Sequence, residues 1–204
     1  MPYVGNDVVD LQDASNAGKS RDSRLLKKIL TDVEIEFVKN AEQPDTALWS
    51  FWACKETAYK VIKKYCLDAA FIPRQWQTVF HSDPSDYMAG KVIISGKSAV
   101  HIRLFANAGY VHCTGSDDQS ALDKLTWGVE SLPKTETDAS IFVRQCLADR
   151  LTKHLSLHFH QIEIRRTRKN GELFPPCVYV CGVKTDMDIS LSHDGRFVAY
   201  TFIE

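Results

Sequence analysis

The sequence has no apolar run approaching the length of a membrane span, no cysteine pair at C-x-x-C spacing and no surplus of charge of either sign. The first absence removes a membrane-spanning helix from consideration. The second leaves six scattered cysteines, Cys177 and Cys181 being four apart. That spacing suits buried, reduced thiols in the cytoplasm and argues against a zinc site or a disulfide framework. A net charge of −1 creates no basic field, so nucleic acid and anionic membranes are poor partners and any phosphate binding must be local. Met1 to Ser20 lacks the basic start and apolar run of a signal peptide, which again points to the cytoplasm.

What the chain does have is length and apolar content. Its 204 residues, 44% hydrophobic, suffice for one domain or two small packed lobes. Tyr3 to Leu11 reads as a valine-rich strand, with Gly5 permitting an unusual backbone at its head. Asp7, between Val4 and Val8, needs a partner if it is buried. Arg24 to Leu30 reads as a helix, and Thr31 followed by Glu34 is a capping box that starts another, ending near Asn40. A third helix follows Asp45. Leu48, Phe51, Trp52, Tyr59, Ile62 and Tyr65 form its apolar stripe, and Glu56, Lys60 and Lys63 a polar one.

From Gln75 to Ser116 the pattern changes to strands: Thr78 to Phe80, Lys91 to Ile94, His101 to Phe105 and Tyr110 to Thr114. Turns are expected at Asp83-Pro84, Gly96 and Asn107 to Gly109. Polar stretches at Ser116 to Gln119 and Ser131 to Asp138 follow. The recipe then repeats, with a helix from about Asp138 to Leu155 and strands at Gln161 to Arg165, near Val178, at Met187 to Ser192 and at Arg196 to Ile203. The fold class read from this pattern is α+β, with two similar lobes, each a helix on a small antiparallel sheet. The boundaries are 1–116 and 117–204.

Asp7 and Glu56 are the carboxylates suited to a hard divalent cation, which takes carboxylate oxygens together with water and substrate phosphates. On the residues alone, Asp7 capping a turn and Glu56 in a solvated pair with Lys60 is the alternative. His154, His158 and His160 invite a metal reading because the first two are one helical turn apart, but no carboxylate or cysteine completes the set, and surface histidines account for them.

Three segments carry a resemblance. Gly5-Asn6-Asp7-Val8-Val9-Asp10 is similar to G-x-D-(I/V)-x-E. Phe51-Trp52-Ala53-Cys54-Lys55-Glu56-Thr57-Ala58-Tyr59-Lys60 is similar to (F/W)-x-x-K-E-(A/S)-x-x-K. Ser190-Leu191-Ser192-His193 looks like S-x-S-H. Together they resemble the signatures of the phosphopantetheinyl transferase superfamily. The motif order is that of the small holo-acyl-carrier-protein synthases, whose chains are single lobes. The length suits the two-lobed, surfactin-synthetase-activating type, in which the serine-histidine lobe comes first. The combination implies a pseudo-dimer with its lobes in permuted order, complete as a monomer.

The resemblance implies transfer of 4′-phosphopantetheine from coenzyme A to a serine of an acyl or peptidyl carrier protein, with release of 3′,5′-ADP and dependence on magnesium. Asp7 and Glu56 become metal ligands, and Glu56 or a nearby water the base. Lys60 neutralises the pyrophosphate, and Lys55, Ser192 and His193 contact the coenzyme. Two departures stand out. Val9 occupies the place of a second acidic residue in the larger type, leaving Asp10 either an outer-sphere ligand or structural. The place of the family's G-K-P segment is Gly171-Glu172-Leu173, without the lysine, so Arg165, Arg166, Arg168 and Lys169 become candidates for the 3′-phosphate. Lys63, Lys64, Tyr65, Phe71, Arg74 and Trp76 are candidates for docking an acidic carrier. A catalytically silent member that binds coenzyme A or a carrier is the competing reading.

Overall fold

The structure is a computed structural model that describes residues 1–81, 87–94, 99–133, 138–169 and 172–204, the side chains of Lys169, Glu172 and Leu173 excepted. The expected turns at Asp83-Pro84 and Gly96 lie outside the described residues.

Strand β1 (Val4–Asp10) is followed by three helices, α1 (Ser23–Ile29), α2 (Asp32–Asn40) and α3 (Pro44–Tyr65). The capping box at Thr31 and Glu34 forms as read, the Glu34 carboxylate accepting from the Thr31 amide at 2.8 Å. Four antiparallel strands come next: β2 (Gln77–Phe80), β3 (Met88–Ile93), β4 (Val100–Ala106) and β5 (Tyr110–Ser116). With β1 they make a five-stranded sheet in the order β1-β5-β4-β3-β2. Helix α3 lies on this sheet, and Leu48, Ala58, Val61 and Ile62 fill the space between them with Val92, Ile102 and Val111.

Sheet membership changes after β5. A 3-10 turn leads into β6 (Thr126–Ser131), a strand the sequence pattern did not show. Helix α4 (Ala139–Leu155) follows, then β7 (Ile162–Arg165), β8 (Arg168–Lys169), β9 (Glu172–Leu173), β10 (Cys177–Val180), β11 (Val183–Lys184), β12 (Asp188–Asp194) and β13 (Phe197–Ile203). The second lobe packs α4 on two three-stranded sheets, β12-β13-β6 and β11-β10-β7, around Leu147, Leu151, Ile189 and Phe202. The protein is therefore α+β with two lobes, each a helix on antiparallel strands. The likeness of the lobes stops there, because the second divides its strands among these two sheets and a separate β8-β9 pair. Among the described residues, no helix is long and apolar enough to cross a membrane.

Gly5 has a different purpose from the one its sequence context suggests. It is not among the glycines of positive φ; instead a Cβ there would overlap the Thr57 carbonyl oxygen on α3. The glycine lets β1 approach the helix that carries Glu56 and Lys60. All six cysteines are free, but only Cys54 and Cys113 are buried, the other four being partly or fully exposed.

The lobes meet along β1 and β12, and the seam is made by side chains. The outward amides of β1 would be unpaired at the edge of its sheet. Asp188 accepts from the Val4 amide at 2.6 Å, Ser190 from Asn6 at 3.0 Å and Asp194 from Asp10 at 2.8 Å. Alternate residues of β12 face β1, so polar residues at every second position serve as a ladder.

Candidate active site

The pleat of β1 sends Asp7 and Asn6 to opposite sides. Asn6 turns to the seam, where its amide donates to Ser192 Oγ at 3.0 Å. Asp7 turns to α3, where Lys60 donates to its Oδ1 at 2.8 Å and to the Asn6 carbonyl at 2.9 Å. Burial pushes the Asp7 carboxyl above the usual carboxylate range, and Lys60 opposes that rise. Glu56, one helical turn before Lys60, is raised too, first by burial and further by the charge of Asp7, again opposed by Lys60.

Two cavities meet at these groups. One, of about 480 Å³, is lined by Asp7, Asn16, Trp49, Trp52, Ser192 and Asp194. The other, of about 310 Å³, is lined by Lys63, Lys64, Ser140, Arg144, Pro175 and Ser190. Glu56, Lys60, Arg166, Leu191 and His193 line both. Residues from the first strand, the third helix, the second lobe's basic turn and the twelfth strand thus come together within a single chain.

The second cavity gathers Lys60, Lys63, Lys64, Arg144 and Arg166 around one lining carboxylate, Glu56. Arg144 on α4 bonds the hydroxyl and carbonyl of Ser140, and Arg166 donates to the Phe174 carbonyl at 3.0 Å. The Arg166 guanidinium loses its proton more readily than usual, through burial and then through the charge of Arg144. Two guanidiniums are thus held near each other, with no ion pair to an acid among the described residues, and they leave positive charge facing this cavity. Arg144 was invisible to sequence reading because it sits on a helix with no motif. Its spacing of four from Ser140, which it bonds, is the one local signal of its placement.

Several expected site residues lie elsewhere. Lys55 is wholly buried, bonded to Glu34 at 2.5 Å and to the Ile29 carbonyl at 2.9 Å, so it joins helices and lines neither cavity. The reason is periodicity: Lys55 is four residues after Phe51 and seven from both Leu48 and Ile62, on the apolar stripe. Asp10 is gripped by Arg196 through both carboxylate oxygens, at 2.8 and 2.6 Å, which makes it structural. Arg168 and Arg165 are exposed on the turn without lining either cavity, Arg165 pairing with Glu163, and the side chain of Lys169 lies outside the described residues, as does Gly171.

The docking set also divides. Trp76 is buried and Phe71 packs between Trp52, Tyr59 and Trp76. Arg74 bonds the Lys27 and Leu30 carbonyls and Asp32, and Lys64 is held in the seam. Lys63 lines a cavity, and Tyr65 is exposed, leaning on Tyr3. His154 pairs with Glu204 while His158 and His160 stack on each other. Among the described residues no group of three or more His, Cys, Asp or Glu is placed to hold a metal.

With that geometry in place, comparison with known families gives one result: the family model described as the 4′-phosphopantetheinyl transferase superfamily matches residues 3–114. The chain belongs to this superfamily of transferases. The match spans β1 to β5, including Asp7, Glu56 and Lys60, and leaves the lobe carrying Arg144, Arg166 and His193 outside it. Comparison with the curated proteins gives no match.

Proposed function

We propose that the protein transfers 4′-phosphopantetheine from coenzyme A to a serine of an acyl or peptidyl carrier protein, as a cytoplasmic monomer. The observation that carries this reading is the convergence of Asp7, Glu56, Lys60 and His193 on adjoining cavities that Arg144 and Arg166 also line. The division at 1–116 and 117–204 then separates an acidic lobe from a coenzyme-gripping one.

Asp7 and Glu56 fit a hard divalent cation. Burial disfavours both carboxylates, the charge of Asp7 disfavours Glu56 further, and a cation shared between them relieves each penalty. Magnesium held there would neutralise charge on the diphosphate. Lys60 adds a second positive charge on the same side, and His193 meets the phosphates from β12. Arg144 and Arg166 grip the 3′-phosphate, taking the place of the absent lysine of the G-K-P segment. The serine oxygen attacks the β-phosphorus and forms the new ester bond, while the bond to the departing 3′,5′-ADP breaks. The hydroxyl proton passes to Glu56, directly or through a water.

The test is the intact mass of an apo carrier protein incubated with the protein, coenzyme A and magnesium, beside Glu56→Gln. A gain of about 340 Da, the mass of one added phosphopantetheine group, that needs metal and vanishes in the variant supports the transferase. Coenzyme A binding without any gain, across carriers of fatty acid, polyketide and peptide synthesis, would establish the silent-binder reading instead.

A further inference from the structure

We infer that Lys64 and Asp188 are a positioning pair that sets the distance between the acidic half of the site and its histidine half. The inference rests on the transferase reading above. Lys64 Nζ lies 2.6 Å from the Val4 carbonyl, 2.7 Å from Asp188 Oδ2 and 2.8 Å from the Ile189 carbonyl. An ammonium has three N–H donors, and all three are used. The same Asp188 oxygen accepts the Val4 amide at 2.6 Å. The two side chains are only 5% and 17% exposed, which shields the pair from the solvent that makes surface pairs weak.

The three elements tied here each carry part of the site a short way along. Lys64 is one turn beyond Lys60 on α3, Val4 is three residues before Asp7 on β1, and Asp188 is five before His193 on β12. Lys64 faces the same cavity as Lys60 and Lys63, yet it has no free N–H for a phosphate. Its contribution is position. A gap of an ångström between Lys60 and His193 suffices to spoil grip on a phosphate chain that both must hold.

The pair is neutral as a unit, so removing both charges leaves the field in the cavity nearly unchanged and avoids the large penalty of stranding one buried charge. The test is therefore the double variant Lys64→Met/Asp188→Asn, whose asparagine still accepts from the Val4 amide. Thermal midpoint, Mn²⁺ affinity and coenzyme A affinity are measured by scanning and titration calorimetry, and carrier modification by intact mass. The double variant is expected to melt within a few degrees of wild type and to bind Mn²⁺ within about twofold, since β1 and α3 remain packed at Gly5. Coenzyme A affinity is expected to fall at least tenfold, because that ligand spans both lobes. Lys64→Arg, which keeps the charge and lengthens the reach, is expected to shift coenzyme A affinity in the same direction and serves if the double variant does not fold. Wild-type coenzyme A affinity and transfer in these variants would overturn the inference while leaving the transferase reading intact. Failure of wild-type protein to bind coenzyme A would overturn the transferase reading and the positioning role with it.

Discussion

Lys60 Nζ bonds Asp7 Oδ1 and the carbonyl of Asn6, the residue before it, so one ammonium holds both the carboxylate and the strand that presents it. Its influence reaches Glu56 as well, whose carboxyl it draws down against burial.

Replacing Lys60 with Met is expected to leave the fold standing, because the lysine side chain is a quarter exposed. Transfer should fall about 10²-fold, the usual consequence of removing one charge-stabilising donor from a reacting centre. Single-turnover mass spectrometry checks the rate and a thermal scan checks the fold. A loss of rate matched by a collapse of the melting point would assign Lys60 to structure.

Arg144→Ala and Arg166→Ala are each expected to weaken coenzyme A about tenfold or more while leaving 3′-dephospho-coenzyme A unaffected, since a charge-assisted contact made only to the 3′-phosphate has nothing to lose in its absence. Calorimetric titration with both ligands decides this. Equal weakening of the two would move the arginines to the diphosphate.

Lys55→Met is expected to destabilise the protein by about 3–5 kcal/mol, since it strands the buried Glu34 carboxylate, a drop of roughly 10–15 °C for a chain of this size. Lys55→Met/Glu34→Gln should recover much of it. Coenzyme A affinity measured below the transition should match wild type in both, which a ligand lysine would not allow.

Arg196→Ala tests the seam by pH. Arg196 holds the Asp10 carboxyl down from 3.8 to about 2. A carboxylate with a depressed folded-state pKa adds stability above its unfolded pKa and loses it as pH falls through the folded one. Arg196 is half exposed, so solvent screening keeps the contribution small. Denaturant titrations should show wild type more stable than the variant at pH 7, with the difference closing between about pH 5 and 2. A gap that persists at pH 2 would assign the effect to packing of the arginine stem.

Much of the architecture is legible in local pattern. Thr31 and Glu34 announce the start of α2, and the apolar stripe of α3 and the valines of β1 show which faces are covered. What stays hidden depends on partners far along the chain. Asp188 and Ser190 look like ordinary polar residues in a strand until β1 is laid beside them. Lys55 belongs to a motif and to an apolar stripe at once, and only packing shows that the stripe prevails. Strand β6 escapes because its exposed Trp127 and Glu130 break any alternation. The acidic residues and His193 were legible because each sits in a recognisable motif; Arg144 has none.

The seam also bears on how the chain is made. Strand β1 leaves the ribosome long before β12, yet three of its amides find their acceptors on residues 184 positions later. Contacts at such separation are slow to form, and the first lobe must wait through most of synthesis with that edge uncovered. The cavities between the lobes therefore form late in assembly, and a nascent chain halted before β12 would carry both Asp7 and Glu56 but no completed cavity.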